Sequence, residues 1–187
     1  NESQLFLDWY LPRTIKKNEI KKAKIKLKNI FLNLYKKLKL KKSVFVHRDF
    51  HVSNMMYHKN KIYIIDSQDA VYGNIAYDLA SLIDDVRLKT SINIKNKIYK
   101  MYSNLNSSIN QTHLKNDFEI LSVLRNLKII GIFTRLAVRD GKKQYLKMIP
   151  YAWKMIEYRI ENNLNFLELK NTLNKYFSKK LRTKKWR

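Results

Sequence analysis

Between Val44 and Asp69 the chain reads VFVHRDFHVSNMMYHKNKIYIIDSQD, and the rest of the sequence has to fold around what this stretch demands. Val44-Phe45-Val46 is β-branched and aromatic, as a short buried strand requires, and the run from His47 to Asn54 breaks out of it as a polar loop. Met55 to His58 is again strand-like, Lys59-Asn60-Lys61 supplies a turn, and Ile62 to Ile65 is a return strand. With Asn60 as the hinge, the expected register sets residue 58 against 62, 56 against 64, and Asn54 against Asp66. Directly opposed residues of a hairpin have Cβ atoms roughly 5 Å apart. An amide oxygen and a carboxylate would then converge at one end of the hairpin, a place for a hard cation. Magnesium asks for one or two protein oxygens and takes the rest from phosphates and water, so Asn54 and Asp66 suit it as ligands. Asp49 stands five residues before Asn54 on the same loop, where a carboxylate can accept the hydrogen bond of an attacking hydroxyl, and His47 can brace the loop from inside. The spacing H-x-D-x-x-x-x-N followed by a strand ending in Asp is that of phosphoryl-transfer catalytic loops. The competing reading is a loop whose polar residues only cap turns.

The loop His47-Arg48-Asp49-Phe50-His51-Val52-Ser53-Asn54 resembles that of the aminoglycoside phosphotransferase and choline kinase-like superfamily, relatives of protein kinases that phosphorylate small-molecule hydroxyls. Ile65 to Gly73, Tyr77-Asp78-Leu79-Ala80-Ser81-Leu82 and Arg125 to Phe133 look closer to one branch, the bacterial anomeric kinases of cell-wall amino sugars such as N-acetylmuramate and N-acetylglucosamine. The similarity runs from the Asp8-Trp9-Tyr10 region to about Pro150. Ser67 departs from it, standing where that branch more often has an aromatic residue. The resemblance implies that Asp49 is the catalytic base and that Asn54 and Asp66 are magnesium ligands. It implies that His47, Arg48 and Asp78 support the loop, Asp78 by anchoring its backbone amides. It implies ATP and Mg2+ as cofactors. His51, Asp69 and Arg125 are candidate substrate contacts; for Arg125, on one helical face with Arg135, a structural ion pair is the competing role.

The charge balance opens other functions: 39 Lys and Arg stand against 15 Asp and Glu, a formal net charge of +24. Nucleic acid, an anionic membrane surface or acidic small ligands all fit such a balance. The lysines are nevertheless scattered through nearly every segment, which gives a solvated surface rather than a site. No zinc-finger, helix-turn-helix or RNA-recognition pattern accompanies them, so nucleic acid is not the expected partner. With 45% hydrophobic residues the chain can bury a core. It has no cysteine, hence no disulfide or thiolate site. No apolar run reaches the length of a membrane span and no leader pattern opens the sequence, so a cytoplasmic enzyme is expected.

Outside the loop the pattern is helical. Residues 3 to 11 read as the end of an apolar helix stopped by Pro12, Asn18 as a cap, and 20 to 38 as a long amphipathic helix with Ala23, Leu27, Ile30, Phe31, Leu34 and Leu38 inward. Val71 to Asn74 reads as a loop turned by Gly73, followed by a helix carrying Asp78 through about Val86, with Asp84 and Asp85 at the surface or substrate rim. Further helices are expected over 92 to 104, 114 to 138, from Pro150, and 164 to 177. Residues 178 to 187, SKKLRTKKWR, form a basic tail, either a frayed terminus or a contact for anionic partners.

Only three glycines occur, and neither a glycine-rich phosphate lid nor a strand lysine precedes the loop. The expected fold is therefore mostly α with a small β-hairpin, the C-terminal lobe of a protein kinase-like fold over 1 to 177, with the nucleotide-gripping N-terminal lobe as a partner missing from this chain. The expected function is ATP-dependent phosphorylation of a small-molecule hydroxyl, on an amino sugar of cell-wall recycling. Two rivals remain open: a choline, homoserine or aminoglycoside kinase, and a non-catalytic basic binding domain derived from the fold. Without the nucleotide-binding part, this chain is expected to be inactive alone.

Overall fold

A computed structural model describes residues 3–40, 44–161 and 163–184. In chain order the elements are α1 (Ile20–Lys36), β1 (Val44–Val46), β2 (Met55–His58), β3 (Lys61–Ile64), β4 (Val71–Gly73), α2 (Ala76–Ile83), α3 (Ile92–Leu105), α4 (Gln111–Arg139), α5 (Ile149–Ile160), α6 (Leu167–Tyr176) and α7 (Lys179–Arg182). The described chain is mostly helical, as its periodicity requires. Among the described residues no helix is long and apolar enough to cross a membrane. The chain divides into two compact units, one formed by residues 1–37 and 123–187, the other by residues 38–122.

The first unit is built on an aromatic cluster. Phe6 lies 5.9 Å from Trp153, 5.4 Å from Phe177 and 6.4 Å from Phe31 between ring centroids, all edge-on, the arrangement ring quadrupoles favour. Tyr10 joins it, and its hydroxyl accepts a 3.1 Å hydrogen bond from the Trp153 indole, so the polar atoms of both rings are satisfied inside the core. α1 turns Ala23, Leu27, Ile30, Phe31 and Leu34 into this core, the stripe its 3.6-residue period predicts. The N-terminal segment is not the regular helix expected. It winds as a wide π turn over Phe6–Tyr10, then a tight 3-10 turn over Leu11–Arg13 with Pro12 near its start, and this irregular path buries Phe6, Leu7, Tyr10 and Leu11 together. Asn18 does not cap α1 but sits within a 3-10 turn, Lys17–Glu19. Gly131 of α4 is fixed by close approach: a Cβ there would stand 2.3 Å from the Leu5 carbonyl carbon.

Part of the basic tail is folded into this unit. Ser178 caps α7 by accepting a hydrogen bond from the Leu181 amide, and Arg182 is only 6% exposed. Its guanidinium lies 5.2 Å from the Trp153 ring centroid and pairs with Glu157 at 2.9 Å. The rest of the expected tail, residues 185–187, lies outside the described residues.

In the second unit α2 presents Ala76, Leu79, Ala80 and Ile83 to Leu114, Phe118 and Leu121 of α4, with Ile98, Tyr99 and Tyr102 of α3 packed against them. Asp117, fully buried, accepts hydrogen bonds from the amides of Lys39 and Leu40 and from the Asn74 side chain, so one carboxylate satisfies the backbone on both approaches to the strands. Two small antiparallel sheets follow, β1 with β4 and β2 with β3. The expected loop at Val71–Gly73 is thus a strand, with Val44 opposite Gly73 and Val46 opposite Val71. Gly73 serves that pairing rather than a turn, since a Cβ on it would come within 2.9 Å of the Val46 side chain.

Candidate active site

The loop from His47 to Asn54 leaves β1 and enters β2, and it is held on one side by α2 and the segment just beyond it and on the other by the end of β3 and the segment after it. His47 and Arg48 donate their backbone amides to the two carboxylate oxygens of Asp78, at 2.7 and 3.1 Å. Asp78 lies in the first turn of α2, where a negative charge also meets the positive end of the helix dipole. Arg48 has φ 70, a left-handed conformation that costs a non-glycine residue energy and persists only where neighbours impose it. The paired amide bonds to Asp78 supply that restraint. The Arg48 guanidinium reaches the Asp69 carbonyl oxygen at 3.2 Å, tying the loop to the segment after β3. His47 is buried, and its Nε2 lies 3.0 Å from the Ile65 carbonyl oxygen, so it braces the loop from inside.

Asp49 is half-buried. Its backbone carbonyl accepts from the His51 amide at 3.0 Å and from the Asn54 side-chain amide at 3.1 Å, while its carboxylate has no hydrogen-bond or ion-pair partner among the described residues. Val52–Asn54 forms one 3-10 turn that delivers Asn54 to β2.

The hairpin register differs by one from the expected one. Lys59 and Asn60 both take positive φ, 46 and 59, and make a two-residue turn whose twist matches the strands. Partners are therefore His58 with Lys61, Tyr57 with Ile62, Met56 with Tyr63 and Met55 with Ile64. Asn54 stands against Ile65, whose amide donates to the Asn54 carbonyl oxygen at 3.0 Å, and not against Asp66. Asp66 follows one residue later, exposed, at φ 70. The left-handed turn of its backbone lets it leave the strand direction at this point. Asn54 and Asp66 offer an amide oxygen and a carboxylate, hard donors of the kind magnesium takes, and the Asn54 nitrogen is already committed to Asp49. Among the described residues no group of three or more His, Asp or Glu gathers as a self-sufficient metal cage. A cation sharing its shell with phosphates and water needs none.

Of the candidate substrate contacts, His51 is buried at 7% exposure within the loop, and Asp69 is exposed beyond β3. Arg125 is buried on α4 and belongs to the first unit, whereas the loop belongs to the second. Asp84 and Asp85, expected at the surface or rim, are instead buried, at 0% and 1% exposure. Asp84 pairs with Lys95 of α3 at 3.4 Å and accepts from Ser122 of α4 at 2.5 Å. Lys95, equally buried, also donates to the Ile83 carbonyl oxygen. Asp85 accepts from the Val52 amide at 3.3 Å and from Arg87. Sequence reasoning missed this corner because two adjacent acids after a helix carry no mark of burial when their partners are distant in the chain.

The chain is 30% identical over 179 residues to the N-acetylmuramate/N-acetylglucosamine kinase of Pseudomonas aeruginosa, covering 90% of this chain and 52% of that protein. It is 31% identical over 155 residues to the protein of the same name from Neisseria meningitidis, covering 80% and 46%. A protein so named from Pseudomonas putida is 27% identical over 174 residues. The chain thus spans about half the length of the curated relatives it matches. Residues 3–104, more than half of the chain and including the whole loop and hairpin, match the phosphotransferase enzyme family, and the chain belongs to that family.

Proposed function

We propose that this chain is the acceptor-side and metal-side half of a small-molecule kinase, the C-terminal lobe of a kinase-like fold, which phosphorylates the anomeric hydroxyl of an N-acetylated amino sugar with ATP. The observation that carries this reading is the half-buried Asp49 carboxylate, without a partner among the described residues, on a loop held by Asp78. In the proposed step the sugar hydroxyl oxygen forms a bond to the terminal phosphorus, the bond from that phosphorus to the ADP oxygen breaks, and the hydroxyl proton passes to the Asp49 carboxylate. Asn54 and Asp66 would hold magnesium, which when bound neutralises charge on the transferred phosphoryl group. His47, Arg48 and Asp78 keep the loop in its strained path. His51 and Asp69 lie on or near the loop as candidate acceptor contacts.

The nucleotide grip is assigned to the half of the relatives that the alignment leaves out, so phosphoryl transfer by this chain alone is not expected. The names of the relatives support an amino sugar over other alcohols. The test is to join this chain to that remaining half of the Pseudomonas aeruginosa relative and compete N-acetylmuramate, N-acetylglucosamine, choline and an aminoglycoside for labelled ATP. An amino-sugar preference is expected, with Asp49→Asn lowering turnover about 100-fold or more at unchanged melting temperature. Preference for choline or an aminoglycoside would replace the substrate, and wild-type turnover in Asp49→Asn would remove Asp49 from the mechanism.

A further inference from the structure

We infer that Asp85 is a second anchor of the loop, a positioning residue that acts through the Val52 amide to fix Asn54. Its catalytic consequence rests on the function proposed above. Asp78 restrains the first half of the loop, through His47 and Arg48. The second half is reached from just beyond the C-terminal end of α2: one carboxylate oxygen of Asp85 accepts from Val52 at 3.3 Å, and the other accepts from the Arg87 amide at 3.1 Å and its guanidinium at 3.2 Å.

Asp85 is held in place because the two residues before it are tied to the neighbouring helices. Asp84 is bound to Lys95 and Ser122, and Lys95 also holds the Ile83 carbonyl, so α3 and α4 fix the backbone from which Asp85 projects. Burying this much charge is a poor route to stability, since apolar residues of similar volume commonly do as well or better. Its use is to set geometry. Val52 opens the 3-10 turn that closes with the Asn54 amide on the His51 carbonyl at 2.9 Å, and the Asn54 side chain donates back to Asp49 at 3.1 Å. A restraint on Val52 is therefore passed to a proposed metal ligand and to the backbone of the proposed base.

The experiment reads amide hydrogen exchange in the 187-residue chain and turnover in the joined protein. Asp85→Ala should speed exchange at Val52 and Asn54 about tenfold or more, leaving His47, Arg48 and the α2 core unchanged, because openings of such segments are local. Asp85→Asn, which keeps one acceptor oxygen, should recover part of that protection and serves if the alanine variant does not fold. Unchanged exchange, or acceleration spread evenly through the unit, would overturn the anchor. In the joined protein Asp85→Ala should lower kcat about tenfold while the acceptor KM changes less than about threefold. Val52→Pro deletes the donor at a site ready for it: His51 at φ -143 and ψ 164 suits a residue before proline, and Val52 begins a helical turn. If Asp85 acts through Val52, combining the two substitutions should cost no more than either alone; additive losses would refute that route. A joined wild-type protein that phosphorylates no sugar would sink the proposed function, while the exchange pattern would still decide the anchor.

Discussion

The Arg48 amide donates to Asp78 at 3.1 Å while Arg48 itself stands at φ 70, so a carboxylate on α2 holds a strained residue of the loop in place. Charge-assisted bonds to two consecutive amides can offset a left-handed conformation that costs on the order of 1–3 kcal/mol. Asp78→Ala should therefore do two things at once: leave the amides of His47 and Arg48 without an acceptor, and release Arg48 from its conformation. The expected loss in unfolding free energy is about 2–4 kcal/mol, measured by urea titration. Asp78→Asn, with one acceptor oxygen, should lose roughly half of that. Equal stability for wild type and Asp78→Ala would show that other contacts fix Arg48.

The loop was legible in the sequence because its parts are local: a β-branched triplet, a polar break, and a hairpin run each declare themselves within a few residues. The helices after residue 19 were legible in outline, α1 most plainly from its 3.6-residue stripe of Ala23, Leu27, Ile30, Phe31 and Leu34. What escaped depended on partners far away. β4 is three residues long and largely exposed, so only its pairing with β1 makes it a strand. The hairpin register turned on whether Lys59 would join Asn60 at positive φ, which lysine seldom adopts, and one such residue moved Asn54 from Asp66 to Ile65. Asp84 looked solvated because Lys95 and Ser122, which make its burial tolerable, lie on other helices, and Asp85 because the Val52 amide it accepts from lies 33 residues earlier in the chain.

Because Asp66 is displaced by one residue from the expected partner of Asn54, the two proposed ligands should contribute unequally. The carboxylate carries the charge and the amide only a dipole. With manganese as a paramagnetic probe, the amide signals of Asn54, Ile65 and Asp66 in the chain alone should broaden at the lowest metal concentrations. Asp66→Ala should raise the concentration needed about tenfold, and Asn54→Ala less. Broadening that ignores both substitutions would place the cation elsewhere.

The Lys95–Asp84 pair, fully buried at 3.4 Å, gives the second unit an asymmetric response to substitution. Lys95→Met fills the space but takes from the buried Asp84 its cationic Lys95 partner, and should cost about 3–5 kcal/mol. Adding Asp84→Asn removes the uncompensated charge and should recover most of that loss, a coupling that a double-mutant cycle in denaturant reads directly. Simple additivity of the two substitutions would mean that the pair does not act as a pair.

Tyr10 gives the first unit a stability that fails in alkali. Burial pushes its phenol up to about 12, against the hydrogen bond from Trp153 and the charge of Arg182, which pull it down. An unfolded tyrosine titrates near 10. The folded protein thus favours the neutral phenol, and its contribution is complete below pH 10 and is lost as pH rises from 10 through 12. A displacement of about two pH units corresponds to roughly 2–3 kcal/mol. Tyr10→Phe cannot ionise, but it leaves the Trp153 indole without its acceptor, at a cost of about 1 kcal/mol near neutrality. The two stability curves should therefore cross: the wild type is more stable at pH 8, and Tyr10→Phe is more stable by pH 12. Lysine deprotonation in the same range affects both proteins alike and drops out of the difference. Urea unfolding at a series of pH values measures it, and a difference that stays constant from pH 8 to 12 would show that the Tyr10 phenol is not held neutral by the aromatic cluster.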